Sequence, residues 1–353
     1  MVACTIKARE SWRSGAPAPR ARASPEGRVR RDGIPVVLVG LGEDGRAIAR
    51  AVVARPELTV VAAVDRDPAL AGASLDALLG AGAPEVRVEG DLAKALGRAR
   101  GGVLIQSGVD RLDDALADVR AAVKAGLHVV STCPELAYPA LDRADDAEAL
   151  DALCEQRGVA VVSTGVTPGF SLDRLPALLA QVAGPIRHVR AVRVVDLASA
   201  DDPLRRRVGV GLSEAAFDDA LEREELGQLG LAQSAALVAE SCIGTDDYEV
   251  DEELVPLVAE EDGAVRRGEV AGVQQIARVF AEDQEVVRLE LTIQVGARDP
   301  RDEVELDAAP PLRLLVPGGV PGAAGTANAV VNAIAAVMER QGLLTVLDLP
   351  VGR

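Results

Sequence analysis

The sequence predicts an α/β fold: a doubly wound parallel sheet at the N-terminal end, followed by a second, α+β domain. Three observations carry this prediction. From Ile34 to about Gly165, short apolar runs alternate with helix-period segments, the pattern of parallel strands joined by crossover helices. Within it, Val36-Val37-Leu38-Val39 leads into Gly40-Leu41-Gly42-Glu43-Asp44-Gly45, and a helical pattern (Ala47, Ile48, Ala51, Val52) leads out. After Pro168 the pattern changes to long alternating strands.

Taken in order, residues 1–33 carry eight Lys or Arg against three acids, with repeated Pro, Ala, Ser and Gly. This composition predicts a disordered basic tail, and the absence of an apolar segment argues against a secretory signal. The only tryptophan, Trp12, lies there. Leu58–Val64 reads as the second buried strand, followed by helices near Leu75–Leu79 and Leu92–Arg98 with a short strand near Val86–Val88 between them. Val103–Gln106 is the fourth strand, and the helix Leu112–Ala125 stops at Gly126, a left-handed terminator. His128–Ser131 and Val159–Ser163 are the next strands, with a helix near Ala147–Gln156 between them; His128, opening its strand, is expected at the surface. Beyond Pro168 come a helix over Leu172–Val182 and a strand over Arg187–Asp196. Helical segments follow at Ser213–Leu226 and Gln233–Glu240, then an acidic connection over Asp246–Glu261. Gln274–Ala281 and Val286–Val295 form a hairpin, and an apolar helix, Thr326–Met338, is expected to return to the first domain. The resulting division is 34–167 for the parallel-sheet domain, 168–322 for the α+β domain, and 323–353 for a helix and tail packing back.

The glycine turn has the context of a dinucleotide site. Gly40 permits the tight turn, Gly42 lets the backbone approach a pyrophosphate, and Gly45 lets the helix pack closely. Leu41, Gly42, Glu43, Asp44 and Gly45 are the expected cofactor contacts of the turn, with the free N–H groups and positive dipole end of the helix at Glu43–Arg46 expected to face the phosphates. Asp65 stands twenty residues past the last glycine, placed to accept hydrogen bonds from ribose hydroxyls. Asp65 repels a 2′-phosphate whereas Arg66 could bind one, so NAD is favoured over NADP. Ligands in such sheets lie beyond the carboxyl ends of the strands. The exit loops Ser107-Gly108, Thr132–Pro139 and Gly165–Phe170 are therefore where cofactor contacts (Ser107, Gly108, Thr132, Cys133) and chemistry are expected.

Composition narrows the chemistry. A net charge of −17 argues against a nucleic-acid partner. Only three lysines and two histidines are present, which removes most proton-transfer candidates. Four scattered cysteines form no metal-ligand spacing and read as reduced cytoplasmic thiols, and no apolar run is long enough to span a membrane. No metal is expected. In the loop after the fifth strand, Glu135 is the one carboxylate that could exchange a proton with an amine; alternatively it is a first-turn acid of the helix that follows. Tyr138 and Cys133 fit packing roles. Thr167, Pro168, Gly169 and Phe170 open a helix and could floor and wall a pocket. Asp196 could face that pocket or cap a turn.

Thr132–Pro139, Thr164–Phe170, Arg193–Asp196, Gly209-Val210-Gly211 and Gly342–Pro350 occur in an order that resembles the 2,4-diaminopentanoate dehydrogenases and related NAD(P)-dependent amine dehydrogenases, themselves similar to dihydrodipicolinate reductases. The resemblance spans roughly Ile34 to Pro350. It implies a Rossmann domain, a smaller α+β substrate domain, a homodimer, and hydride transfer between nicotinamide and a small amine, imine or aminated carbonyl. Departures accompany it. The family commonly reads T-x-E-E where this chain has Thr132-Cys133-Pro134-Glu135, so Pro134 holds the place of the family's catalytic carboxylate. Thr167 replaces a usual Asn, and Gln228 in Gly227-Gln228-Leu229-Gly230 replaces a usual His. Glu135 is then the surviving acid/base, with Pro134, Tyr138, Thr167, Phe170, Asp196 and Gln228 around the substrate. The alternatives are a reductase of a preformed cyclic imine, which needs no ammonia-activating carboxylate, and a catalytically silent dinucleotide-binding protein.

Overall fold

The structure is a computed structural model that describes residues 2–7, 33–80, 82–197 and 202–352. After β1 (Val2–Lys7) come β2 (Ile34–Val39), α1 (Glu43–Val53), β3 (Leu58–Val64), α2 (Leu75–Leu79), β4 (Val88–Glu89) and α3 (Leu92–Leu96). Then follow β5 (Val103–Gln106), α4 (Leu112–Lys124), β6 (His128–Ser131), α5 (Ala144–Arg157) and β7 (Ala160–Ser163). The middle of the chain forms α6 (Arg174–Ala180), β8 (Ile186–Asp196), α7 (Asp202–Arg207), α8 (Glu214–Glu222), α9 (Leu231–Val238), β9 (Glu249–Val258), β10 (Val270–Ala281), β11 (Gln284–Gln294), β12 (Arg301–Ala308) and β13 (Leu312–Pro317). The chain closes with α10 (Gly322–Met338) and β14 (Gly342–Leu344). It divides into two compact units: one runs to Gly169 and resumes at Pro321, and the other comprises Phe170–Val320 with the first strand.

The first unit is a Rossmann sheet of seven strands in the order β14-β7-β6-β5-β2-β3-β4, all neighbours parallel. The chain moves outward from β2 to β3 and β4, then returns across β2 to β5. That reversal leaves a crevice beyond the carboxyl ends of β2 and β5, where such sheets bind ligands. The strands are buried on both faces, which explains their unbroken apolar runs. On one face, Ile48, Ala49 and Val52 of α1 pack with Val330, Ile334 and Val337 of α10, so the C-terminal helix shares the sheet's core. Past α10, the Leu343 N–H donates to the Asp151 carboxylate at 2.6 Å, and Thr345 and Asp348 close a reciprocal capping box. The segment Gly342–Pro350 therefore extends and stitches the sheet.

The second unit is a mixed seven-stranded sheet, β1-β9-β10-β11-β8-β12-β13, in which only β11 and β8 run parallel. The hairpin β10–β11 turns at Glu282 and Asp283, whose φ values of 50° and 61° match the right-handed twist of the paired strands. Between β8 and β12, Arg193 and Asp302 form a buried ion pair at 2.6 Å; the same carboxylate accepts from the Ser171 hydroxyl and the Val320 N–H.

Three expectations are corrected. The acidic stretch 246–261 is not a connection: it contains β9, where Val250 and Leu254 are buried while Asp251 and Glu253 pair with Arg278 on the opposite face. Alternation was present in that segment, masked by its charges. His128 is buried rather than superficial, and its Nδ1 accepts the Ala160 N–H at 3.0 Å across to β7. Within the expected tail, Val2–Lys7 pair antiparallel with β9; residues 8–32, including Trp12, lie outside the described residues.

Candidate functional site

The glycine turn is built as its spacing requires. Gly40 has φ +85°, and a Cβ there would collide with the Ser107 carbonyl; a Cβ on Gly45 would collide with the carbonyl of Gly40. Gly42 is different: among the described residues nothing lies within 4 Å of the place its Cβ would take. The two outer glycines thus answer to packing within the protein, and the middle one faces open space above the start of α1. The N-cap residue, Gly42, has no side chain to close that terminus, and the positive dipole end of α1 lies beside it. Exposed Glu43 and Asp44 occupy its first turn, and Arg46 is drawn back so that its Nε donates to the Leu41 carbonyl at 2.8 Å. Arg46 is a cation at the turn that spacing alone did not single out; its place directly after the third glycine was the available signal.

Asp65, leaving β3, accepts the Leu41 N–H at 2.6 Å through one oxygen and the Asp67 N–H at 2.8 Å through the other. Each oxygen retains acceptor capacity for a ribose hydroxyl. Arg66 reaches instead to α4, where one terminal nitrogen donates to both oxygens of Asp118 at 3.0 and 2.9 Å. The positive dipole end of α1, the open place beside Gly42 and a carboxylate at the neighbouring strand end together fit a dinucleotide.

Ser107 buttresses the turn from behind, its hydroxyl within donating distance of the Val39 and Gly40 carbonyls at 3.2 and 3.0 Å. At Gly108, with φ +77°, no described residue lies within 4 Å of the place a Cβ would take. Beneath the exit loops runs a buried polar chain that the sequence reading missed. The Gln106 amide donates to the Ala115 carbonyl at 3.2 Å and accepts from the Ser131 hydroxyl at 3.0 Å. Ser131 in turn accepts the Cys133 N–H at 3.0 Å, and the Ser163 hydroxyl donates to the Cys133 carbonyl at 2.6 Å. The signal was three apolar strands in succession each ending on a polar residue. Their side chains fix the path of Thr132 and Cys133 out of β6, and the Thr132 N–H donates to the Gln106 carbonyl at 3.0 Å.

Pro134 is buried and begins a 3-10 turn through Ala137. Glu135, in that turn, accepts the Leu112 N–H at 2.7 Å and an Arg111 N–H at 3.1 Å, so its carboxylate sits on the first turn of α4, a different helix from the one expected. Tyr138 is buried. Burial pushes the Cys133 thiol up to about 12, which keeps it protonated and removes it as a nucleophile. Asp142 is raised by burial and by the nearby charge of Glu135.

After β7 the loop Gly165–Gly169 contains a cis bond between Thr167 and Pro168. Gly169 has φ +127° and lies so close to the backbone of Gly165 that no side chain fits. The loop is tied to α10 through the Val166 N–H, which donates to the Thr326 hydroxyl at 3.3 Å.

In the second unit, Phe170 is half-buried, and its carbonyl accepts the Leu175 N–H at the start of α6. Asp196 accepts the Gly296 N–H at 2.8 Å, which ties the ends of β8 and β11. Gln228 is held through its backbone: its N–H donates to the Gln275 amide oxygen at 2.9 Å, and its carbonyl accepts from the Gln275 amide nitrogen at 2.8 Å. Gln275 also donates to Glu252, whose carboxyl is pushed up by burial. Gln275 and Glu252 were not expected near Gln228, because they lie on strands read as a connection and as a plain hairpin arm. Among the described residues no cluster of His, Cys, Asp or Glu could hold a metal, and no helix is long and apolar enough to cross a membrane.

A family model for the 2,4-diaminopentanoate dehydrogenase C-terminal domain matches residues 170–353. The chain belongs to this family. It is 23% identical over 332 residues to 2,4-diaminopentanoate dehydrogenase of Acetoanaerobium sticklandii, covering 91% of this chain and 94% of that one. It is 37% identical over 190 residues to an amine dehydrogenase of Streptomyces virginiae, covering 50% of this chain and 51% of that protein. The solved amine dehydrogenase from Mycobacterium smegmatis shares the fold, with a TM-score of 0.78 at 23% identity over 92% of this chain and 98% of that one.

Proposed function

We propose that this protein is an NAD(P)-dependent oxidoreductase of the amine dehydrogenase type, acting on a CH–NH2 group or on the C=N group it becomes. The observation that carries the reading is the open place beside Gly42 at the start of α1, with Asp65 at the adjacent strand end. The names of the family and of its relatives, all dehydrogenases of amines, supply the substrate class.

When bound, the nicotinamide supplies or accepts the hydride. The chain's own residues do the rest. The N–H groups at the start of α1 hold the pyrophosphate, and Asp65 orients the ribose through its spare lone pairs. We assign the proton step to Glu135. One of its oxygens accepts the Leu112 N–H and the other an N–H of the Arg111 guanidinium, and a carboxylate oxygen has a further lone pair for an ammonium or amine N–H. Thr167, Phe170, Asp196 and Gln228 are assigned to substrate contacts, as are Pro134 and Tyr138. NAD is the preferred coenzyme in this reading: Asp65 repels a 2′-phosphate, and Arg66, the cation that could accept one, is bound to Asp118. A homodimer acting on a small amine or its carbonyl counterpart completes the assignment on the strength of the family resemblance, and the scattered cysteines support a cytoplasmic setting.

The test follows absorbance at 340 nm with reduced coenzyme, a panel of small ketones and aldehydes, and ammonium, beside an ammonium-free arm containing cyclic imines. Ammonium-dependent oxidation of coenzyme is the expected result. Turnover confined to preformed imines would move the protein to the reductase reading. Coenzyme binding without any turnover would make it a silent dinucleotide-binding protein.

A further inference from the structure

We infer that Asp118 sets the coenzyme preference of this protein by holding Arg66 away from the ribose 2′ position; the inference rests on the dinucleotide reading of the glycine turn. Asp118 lies on α4, among the buried positions of that helix, with its side chain 12% exposed, whereas the Arg66 side chain is 62% exposed. A carboxylate so deeply placed costs free energy unless it is paired. Arg66 supplies that pairing with a single terminal nitrogen against both oxygens, at 3.0 and 2.9 Å.

The position of the pair along the helix gives it consequence. α4 begins at Leu112, where Glu135 caps it near the carboxyl ends of the strands. Asp118 is six residues further on, about 9 Å down the helix axis at a rise of about 1.5 Å per residue. The guanidinium is therefore drawn along α4, away from the strand ends where Asp65 stands. Arg66 directly follows Asp65 in the chain, so its backbone remains beside the ribose while its charge is placed elsewhere. The negative charge of Asp65 is then left to act on the 2′ position, where it favours a hydroxyl over a phosphate. Asp118 thus acts as a positioning residue, through Arg66, and need not touch the coenzyme. If the pair is broken, a long cationic side chain anchored beside the ribose becomes available for a 2′-phosphate, a bidentate partner that a guanidinium suits.

The test is direct binding, read from the fluorescence of NADH and NADPH on titration with the full-length protein, for the wild type, Asp118→Ala, Asp118→Asn and the double variant Asp118→Ala/Arg66→Ala. Removing Asp118 frees an exposed arginine and buries no unpaired charge, and circular dichroism with thermal melting checks that each variant is folded. Asp118→Ala is expected to raise NADPH affinity relative to NADH about tenfold, the scale of a new charge-assisted hydrogen bond to phosphate. Asp118→Asn should move the ratio the same way by less, and the double variant should lose the gain. A ratio unchanged in both single variants, or a gain that survives in the double variant, would overturn the inference while leaving the dinucleotide site standing. A wild type that binds neither coenzyme would overturn both.

Discussion

At the scale of single residues, Glu135 carries two assignments that mutation separates. As the proton-transfer group, its replacement in Glu135→Gln should lower kcat by about 100-fold or more, the usual contribution of general acid–base catalysis, with coenzyme affinity retained. As a cap on α4 alone, the same change would lower stability by about 1 kcal/mol and leave kcat within a small factor. Measuring kcat, NADH affinity and urea unfolding on one preparation distinguishes the two. The thiols provide a second residue-scale expectation. Cys133 is buried and its thiol is raised to about 12, so it should resist alkylation at pH 8 in the native protein and react only on unfolding, as mass mapping of the modified peptide would show. The identity of most candidate residues was legible in the chain, because glycines, a strand-end acid and loop carboxylates announce themselves by type and spacing. Their partners were not. Nothing local to Glu135 says that it reaches the start of α4, and nothing beside Arg66 points to Asp118, fifty-two positions away.

At the scale of elements, the glycine turn yields a paired prediction. Gly42→Ala places a methyl in open space at an ordinary backbone conformation, so thermal stability should be unchanged while NADH binding weakens by about tenfold or more through lost approach to the pyrophosphate. Gly45→Ala drives a methyl into the Gly40 carbonyl, so it should lower the melting temperature as well. In the second sheet, Glu252 gives a pH dependence. Its carboxyl is raised by burial, so the native state holds the proton more tightly than the unfolded chain does. That contribution is fully present below the unfolded value of about 4.3 and is lost as pH rises through the higher native value. Glu252→Gln should therefore make the protein more stable near pH 8 and narrow the difference between pH 5 and pH 8 in urea unfolding. The strand bearing Glu252 was misread from its acids, although Val250 and Leu254 keep the period of two. A charged outer face paired with Arg278 conceals a strand from composition, and only the neighbouring strand shows that those charges are neutralised.

At the scale of the whole molecule, a coenzyme that binds only the folded Rossmann unit must stabilise it. At about 100 times its Kd, NADH should add about 2.7 kcal/mol and raise the melting temperature, and Gly42→Ala should shift that response to higher NADH concentration. The sequence by itself determined the parallel-sheet fold of the first unit, the switch to strands after Pro168 and the location of the glycine turn between β2 and α1. These are encoded in local period, glycine placement and apolar runs, which depend on residues near one another in the chain. The tertiary structure alone decided which α1 side chains the returning helix α10 meets, that Val2–Lys7 extend the second sheet, and that Gln106, Ser131 and Ser163 brace the exit loops. It also decided which charges are paired: Arg193 with Asp302, Glu135 with α4, and Arg66 with Asp118. The physical reason is that hydrogen bonds and ion pairs join groups by distance in space, and folding brings together residues whose separation in sequence carries no local pattern.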